Sequence, residues 1–146
     1  MTTDKPEERP TPDLESLERR ERPQTEGAPV DLALIHDRAM TAATAALDVK
    51  ADDVKILDMH ELVTYTDFLV LCTGRNARLT KRIAEEIGFR LKKELGLMPM
   101  GTEGTAAGDW ILLDFGDFVA HVFTPEAREF YRLDVLWKQA PVETVG

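Results

Sequence analysis

Apolar positions along the chain switch between a helical and an alternating period, and the switches mark out the elements. Over residues 30–47, "VDLALIHDRAMTAATAAL", Leu32, Ile35, Ala39, Ala42 and Ala46 recur at helical spacing, which predicts a helix with a small-residue inner face. "VKILDM" (54–59) reads as a strand, and "YTDFLVLCTG" (65–74) as a second one. The second is nearly continuous in apolar residues, the mark of a strand buried on both sides in mid-sheet. In "RNARLTKRIAEEIGFRLKKELG" (75–96) Leu79, Ile83, Ile87, Leu91 and Leu95 form an i+4 stripe. Asn76 is placed to cap that helix and Gly96 to end it. "MPMGTEGTAAGD" (98–109) is glycine-rich, with a short strand at its beginning. Thr124 caps a final helix that has Pro125 in its first turn and runs to about Trp137. The order α-β-β-α-(β)-β-β-α predicts an α/β domain with a mixed sheet flanked by helices. Its last strands are antiparallel, because their connections are short.

Between the glycine-rich stretch and the final helix lies "DWILLDFGDFVAHVF" (109–123). Ten of its fifteen residues are apolar, yet it also carries Asp114, Asp117 and His121 beside Trp110. Read as a hairpin turning at Phe115-Gly116, it opposes Asp114 to Asp117, Leu112 to Val119 and Trp110 to His121. Alternation then sorts the residues. Ile111, Leu113, Phe118, Ala120 and Val122 share a core-facing side. Trp110, Leu112, Asp114, Asp117, Val119 and His121 share the other, which this reading leaves open as a surface. A three-residue loop with Gly116 left-handed is the alternative; it is less favoured because it moves Asp117 onto the apolar side. Two opposed aspartates repel, so turn NH groups, a cation or a basic partner must offset them.

Composition adds limits. The chain has 146 residues, enough for one domain with its own core and an appendage. Residues 1–29 hold five of the eight prolines and almost no apolar side chains, which predicts a disordered tail. "DLESLERRER" (13–22) has a helical turn or two within reach, with only Leu14 and Leu17 to bury. The folded part is expected over 30–140, leaving 141–146 as a short C-terminal tail. The one cysteine, Cys72, has no internal disulfide partner. The N-terminus lacks the apolar stretch of a secretory signal and is too acidic for a transit peptide, so a cytoplasmic protein is expected. No apolar run reaches membrane-spanning length. The net charge is −9, of which residues 1–29, with eight acids against five bases, contribute −3. So acidic a body suits a basic protein surface better than a nucleic acid, which leaves nucleic-acid contact secondary.

Several chemical motifs fail on inspection. "DFG" (114–116) matches a kinase triplet, but the chain has no other part of the kinase set. His36, His60 and His121 lie in separate elements without zinc-ligand spacing. Asp67, Asp114 and Asp117 with the "TGRNAR" turn (73–78) leave a Mg²⁺-dependent nucleotidyltransferase-like enzyme as the alternative function. That turn lacks the lysine pattern of a phosphate-binding loop.

Residues 103–137, "EGTAAGDWILLDFGDFVAHVFTPEAREFYRLDVLW", closely resemble the signature of the ribosome-silencing factor family, also called the Iojap family. The matched pattern is Glu-Gly, Gly-x-Trp, Leu-x-Asp-x-Gly-Asp, His-Val-Phe, Arg-x-Phe-Tyr-x-Leu and Leu-Trp. "TDFLVLCTG" (66–74) is similar to the family's aliphatic strand. Asn76 and Leu79 depart from the family's usual residues after that strand, and Phe115 stands where Tyr or Leu is common. The resemblance implies a fold similar to the nucleotidyltransferase α/β core, without that chemistry and without a cofactor. It also implies a non-enzymatic function: binding the large ribosomal subunit through its protein fourteen and blocking the small subunit from joining when nutrients are scarce. Carried over by position, Trp110 matches the interface tryptophan and Phe115 the turn-tip residue. Asp114, Gly116, Asp117 and His121 match the residues around them. Arg128 and Tyr131 match the final-helix element, either as partner contacts or as braces for the hairpin. A homodimer off the ribosome is a further expectation, since an apolar hairpin face without its partner is sticky.

Overall fold

A computed structural model describes residues 12–20 and 31–146. The expected disorder of residues 1–29 falls largely on positions outside the described residues.

Within that tail, Leu14–Arg19 forms a short helix, α1, capped by Asp13, whose side chain accepts from Ser16 N. The alanine-rich segment is α2 (Leu32–Asp48), which buries Ala39, Ala42, Ala43, Ala45 and Ala46. Strands β1 (Asp52–Asp58) and β2 (Phe68–Thr73) follow. Helix α3 (Ala77–Leu95) begins and ends where its sequence says: Asn76 accepts from Leu79 N at 2.9 Å, and Gly96 takes a left-handed φ of 67°. Then come β3 (Gly101–Glu103), β4 (Trp110–Asp114) and β5 (Phe118–Phe123).

The final helix is two helices. Thr124 caps α4 (Pro125–Tyr131), as expected. Arg132 then adopts φ 50°, ψ 52°, breaking the run before α5 (Leu133–Leu136). Residues read from sequence as a tail contribute β6 (Val142–Thr144), which pairs antiparallel with β1.

The six strands form one mixed sheet in the order β3-β4-β5-β2-β1-β6. Only β2 and β5 are paired in parallel; the other neighbours are antiparallel. The central strands β2, β4 and β5 are buried along their whole lengths, as near-continuous apolar strands require. Helices α2 and α3 cover one face over Ile111, Leu113, Phe118, Ala120 and Val122. The other face is a second core, in which Trp110, Leu112, Val119 and Phe123 meet Leu17 of α1, Ala127 of α4, Leu133 of α5 and Ala140.

Candidate functional site

The hairpin's two faces separate as alternation predicts, but its register differs. Asp114 faces Val119, Leu112 faces His121, and Trp110 faces Phe123. The turn is Gly116-Asp117, one residue later than expected, and Phe115 N–H donates to the Phe118 carbonyl at 3.0 Å. Gly116 explains the choice. Its φ is 87°, a conformation glycine adopts freely at the first position of a two-residue hairpin turn and phenylalanine does not. Moving the turn by one residue shifts every opposing pair by two. The faces survive because side-chain alternation has period two.

The expected aspartate pair is therefore not formed across the ladder. Asp114 ends β4, and Oδ1 accepts from Gly116 N at 2.9 Å and from Arg20 Nη2 at 3.0 Å. Arg20 Nε lies 2.6 Å from Oδ2. Asp117 stands in the turn, 3.4 Å from Arg38 Nη1 of α2. The tip is also held from below. Thr66 Oγ1 donates to the Gly116 carbonyl at 3.0 Å, and Asp67 N donates to the Asp117 carbonyl at 2.9 Å. Phe115 is half-buried and stacks on Phe118, with ring centroids 4.8 Å apart.

At the far end of the hairpin, about 13 Å from the tip along the strand, Trp110 is the centre of an aromatic cluster. Its ring lies 5.2 Å from Phe123, 4.6 Å from Tyr131 and 5.8 Å from His121. Trp110 Nε1–H donates to His121 Nδ1 at 3.0 Å, which assigns the remaining ring proton of a neutral His121 to Nε2. Burial, assisted by the positive charge of Arg128, holds the His121 pKa down at about 3. Trp110 is 2% exposed and His121 1%. Both were expected on an open surface; both are core, because α1, α4 and α5 close over that face.

Arg128 is separate from both groups. Nε and Nη2 grip the Asp134 carboxylate at 2.9 and 3.0 Å, and Nη1 donates to Thr73 Oγ1 at 2.8 Å and the Asp53 carbonyl at 3.1 Å. Burial acts to raise the Asp134 pKa, but the Arg128 hydrogen bonds and charge outweigh it and hold it low. This fork ties α4 and α5 to β1 and β2, so Arg128 braces the sheet. Tyr131, packed on Trp110 and half-buried, retains a face toward solvent.

Arg20, Arg38, Thr66 and Asp134 complete these arrangements, and none stands out in sequence. Arg20 reaches Asp114 across 94 positions and Arg38 reaches Asp117 across 79. The metal reading of Asp67, Asp114 and Asp117 also fails on geometry. Among the described residues no group of three His, Cys, Asp or Glu side chains is arranged to hold a metal ion, and two of the three aspartates are engaged by arginines. Asn76, in the loop weighed as a phosphate cradle, caps α3 with its own side chain. No helix among the described residues is long and apolar enough to cross a membrane.

Residues 33–146 match the family described as "Ribosomal silencing factor during starvation". A Chromobacterium violaceum protein named ribosomal silencing factor RsfS is 34% identical over 113 residues, covering 77% of this chain and 92% of the relative. A Bacillus subtilis protein of the same name is 36% identical over 101 residues, covering 69% and 85%. The maize chloroplastic protein Iojap is 33% identical over 72% of this chain and 46% of its own length. A crystal structure of a Chromobacterium violaceum protein superposes with a TM-score of 0.69 at 34% identity, covering 77% of this chain and 93% of that one.

Proposed function

From the premise that this chain belongs to the ribosomal silencing factor family, we propose that it represses translation by occupying the large ribosomal subunit. It binds through the subunit's protein fourteen and sterically blocks the small subunit from joining, above all under nutrient limitation. The observation that carries this reading is the pairing of an acidic hairpin tip with a rigid aromatic base.

Asp114, Phe115, Gly116 and Asp117 form the docking tip, and Tyr131 extends it. Trp110 and His121 keep the strands beneath in one geometry, and Arg128 holds the helices that flank them. An acidic tip on a chain of net charge −9 steers toward a basic protein surface. The aspartates exchange their arginine partners, or share them, with Lys and Arg of the ribosomal protein. Such a site acts by occupancy, so it requires neither catalysis nor a cofactor, and its place of action is the cytoplasm. A homodimer off the ribosome belongs to the same proposal. Sedimentation that does not change with protein concentration argues against that part.

The test is co-sedimentation of purified protein with large subunits, followed by addition of small subunits. The expected result is a pelleted complex and suppressed formation of full ribosomes. Protein left in the supernatant at every salt concentration overturns the reading.

A further inference from the structure

The family match begins at residue 33, yet the hairpin of this chain is covered by residues that precede it. Helix α1 lies across the sheet face opposite α2 and α3. Leu17 is 5% exposed and sits in the cluster formed by Trp110, Leu112, Val119 and Phe123; Leu14 packs at its margin. Asp13 N–H donates to Glu103 Oε1 of β3 at 3.0 Å. At the other end, Arg20 reaches the hairpin tip. Nη2 donates to the carbonyls of Tyr65 at 2.9 Å and Gly116 at 3.4 Å, as well as to Asp114.

This attachment is specific but thin. A helix of six residues is not stable alone in water, so α1 is helical because it is docked. Among the described residues its attachments are the buried Leu17, Leu14 at the margin, the Asp13–Glu103 hydrogen bond and Arg20. That arginine is imperfectly satisfied: Nε lies against Asp114 Oδ2 at 2.6 Å, but Nη1 is buried and makes no hydrogen bond. A buried donor without an acceptor weakens the docked state relative to release. Meanwhile Arg20 supplies at Asp114 the cation that a basic partner would bring.

We propose that residues 13–20 are a displaceable cover of the hairpin, in which Arg20 occupies at Asp114 the place of a basic side chain of the ribosomal partner. The cover and the partner compete for the tip. In the free protein the cover shields apolar surface and neutralises the buried carboxylate; on the large subunit it is released. Affinity is then reduced by the fraction of molecules that are covered. If about nine in ten are covered, removing the cover tightens binding about tenfold. This inference rests on the function proposed above.

Two measurements test it in the full-length chain. The first is amide hydrogen exchange of wild-type protein, free and bound to purified large ribosomal subunits. Residues 14–20 are expected to be protected in the free protein and to lose protection in the complex, while β4 stays protected. Absence of protection in the free protein, or its persistence in the complex, overturns the cover.

The second is the affinity of Leu17→Asp/Arg20→Ala for large subunits, compared with wild type. Tighter binding by several-fold supports displacement. Equal or weaker binding overturns the cover and leaves the proposed function standing. Failure of both proteins to bind overturns the proposed function and the cover with it. Should the double variant lose cooperative unfolding, Arg20→Ala alone replaces it in the same comparison.

Discussion

Trp110 Nε1–H donates to His121 Nδ1 at 3.0 Å inside a core that water does not reach. The bond requires a neutral imidazole, because a protonated Nδ1 would set two donors against each other. Burial, with the Arg128 charge, holds the His121 pKa at about 3 when folded, against an ordinary 6.5 when unfolded. The unfolded chain therefore binds the proton more readily. His121 contributes its full stability above pH 6.5, and loses it as the pH falls from there toward 3. The slope is about 1.4 kcal/mol per pH unit, so about 2 kcal/mol is lost at pH 5. Urea unfolding at pH 7, 6 and 5 should show this loss. His121→Gln, whose amide oxygen can still accept from Trp110, should lack that component of the pH dependence.

Truncating Trp110 should destabilise the protein itself. It is 2% exposed and contacts three other rings, so Trp110→Ala is expected to cost about 3–5 kcal/mol. Trp110→Phe keeps most of the apolar volume but strands the His121 acceptor, and should cost about 1–3 kcal/mol. Denaturant midpoints of the two variants check the order. A Trp110→Ala protein as stable as wild type would contradict the burial of this ring. Loss of ribosome binding in Trp110→Ala is informative only where the variant is shown to be folded.

Arg128 should tolerate no replacement of its planar fork. Lysine cannot span Asp134, Thr73 and the Asp53 carbonyl together. Arg128→Lys is expected to cost about 3 kcal/mol, the lower end of the range for breaking a buried pair, because Asp134 is partly exposed. Asp134→Asn should cost less, since one hydrogen-bond acceptor remains. Thermal melts of both variants test this ranking.

Two glycines should respond to alanine unequally. Gly116→Ala forces a β-carbon into a left-handed turn residue, for about 1–2 kcal/mol. Gly104→Ala adds a collision: the new β-carbon would lie 1.9 Å from the Trp110 carbonyl oxygen, at φ 83°. The Gly104 variant should therefore be the less stable in urea. Equal midpoints would mean that the backbone at residue 104 relaxes away from β4.

At the hairpin tip, Asp117→Lys should lower stability only modestly, because the Arg38 contact is long, 3.4 Å, and only partly buried. It should slow association with large ribosomal subunits and flatten its salt dependence, as reversal of a steering charge does. Stopped-flow association at two ionic strengths reads both effects. An unchanged rate would remove Asp117 from the docking tip.

Much of this protein is written in local pattern. Helix α3 could be bounded from Asn76, Gly96 and its i+4 stripe, because capping and amphipathicity are decided within a few residues. The burial of β2 followed from its unbroken apolar run. Both hairpin faces were sorted correctly even with the turn misplaced by one residue, since alternation survives a shift of two. The resemblance over residues 103–137 pointed to the family for a related reason: turn glycines, strand alternation and a helix cap all lie in one continuous stretch. Tertiary structure alone decided what covers each face. An alternating strand states that two faces differ, not what packs on the second. That face became core through Leu17, far upstream in sequence, and through Leu133 and Ala140, which fold back over the hairpin that precedes them. The break at Arg132 and the strand β6 likewise arise from docking: the Arg128–Asp134 fork bridges the break between α4 and α5, and β6 satisfies the outer edge of β1. Asp114 met its cation across 94 positions, a distance at which charge leaves no periodic trace in the chain.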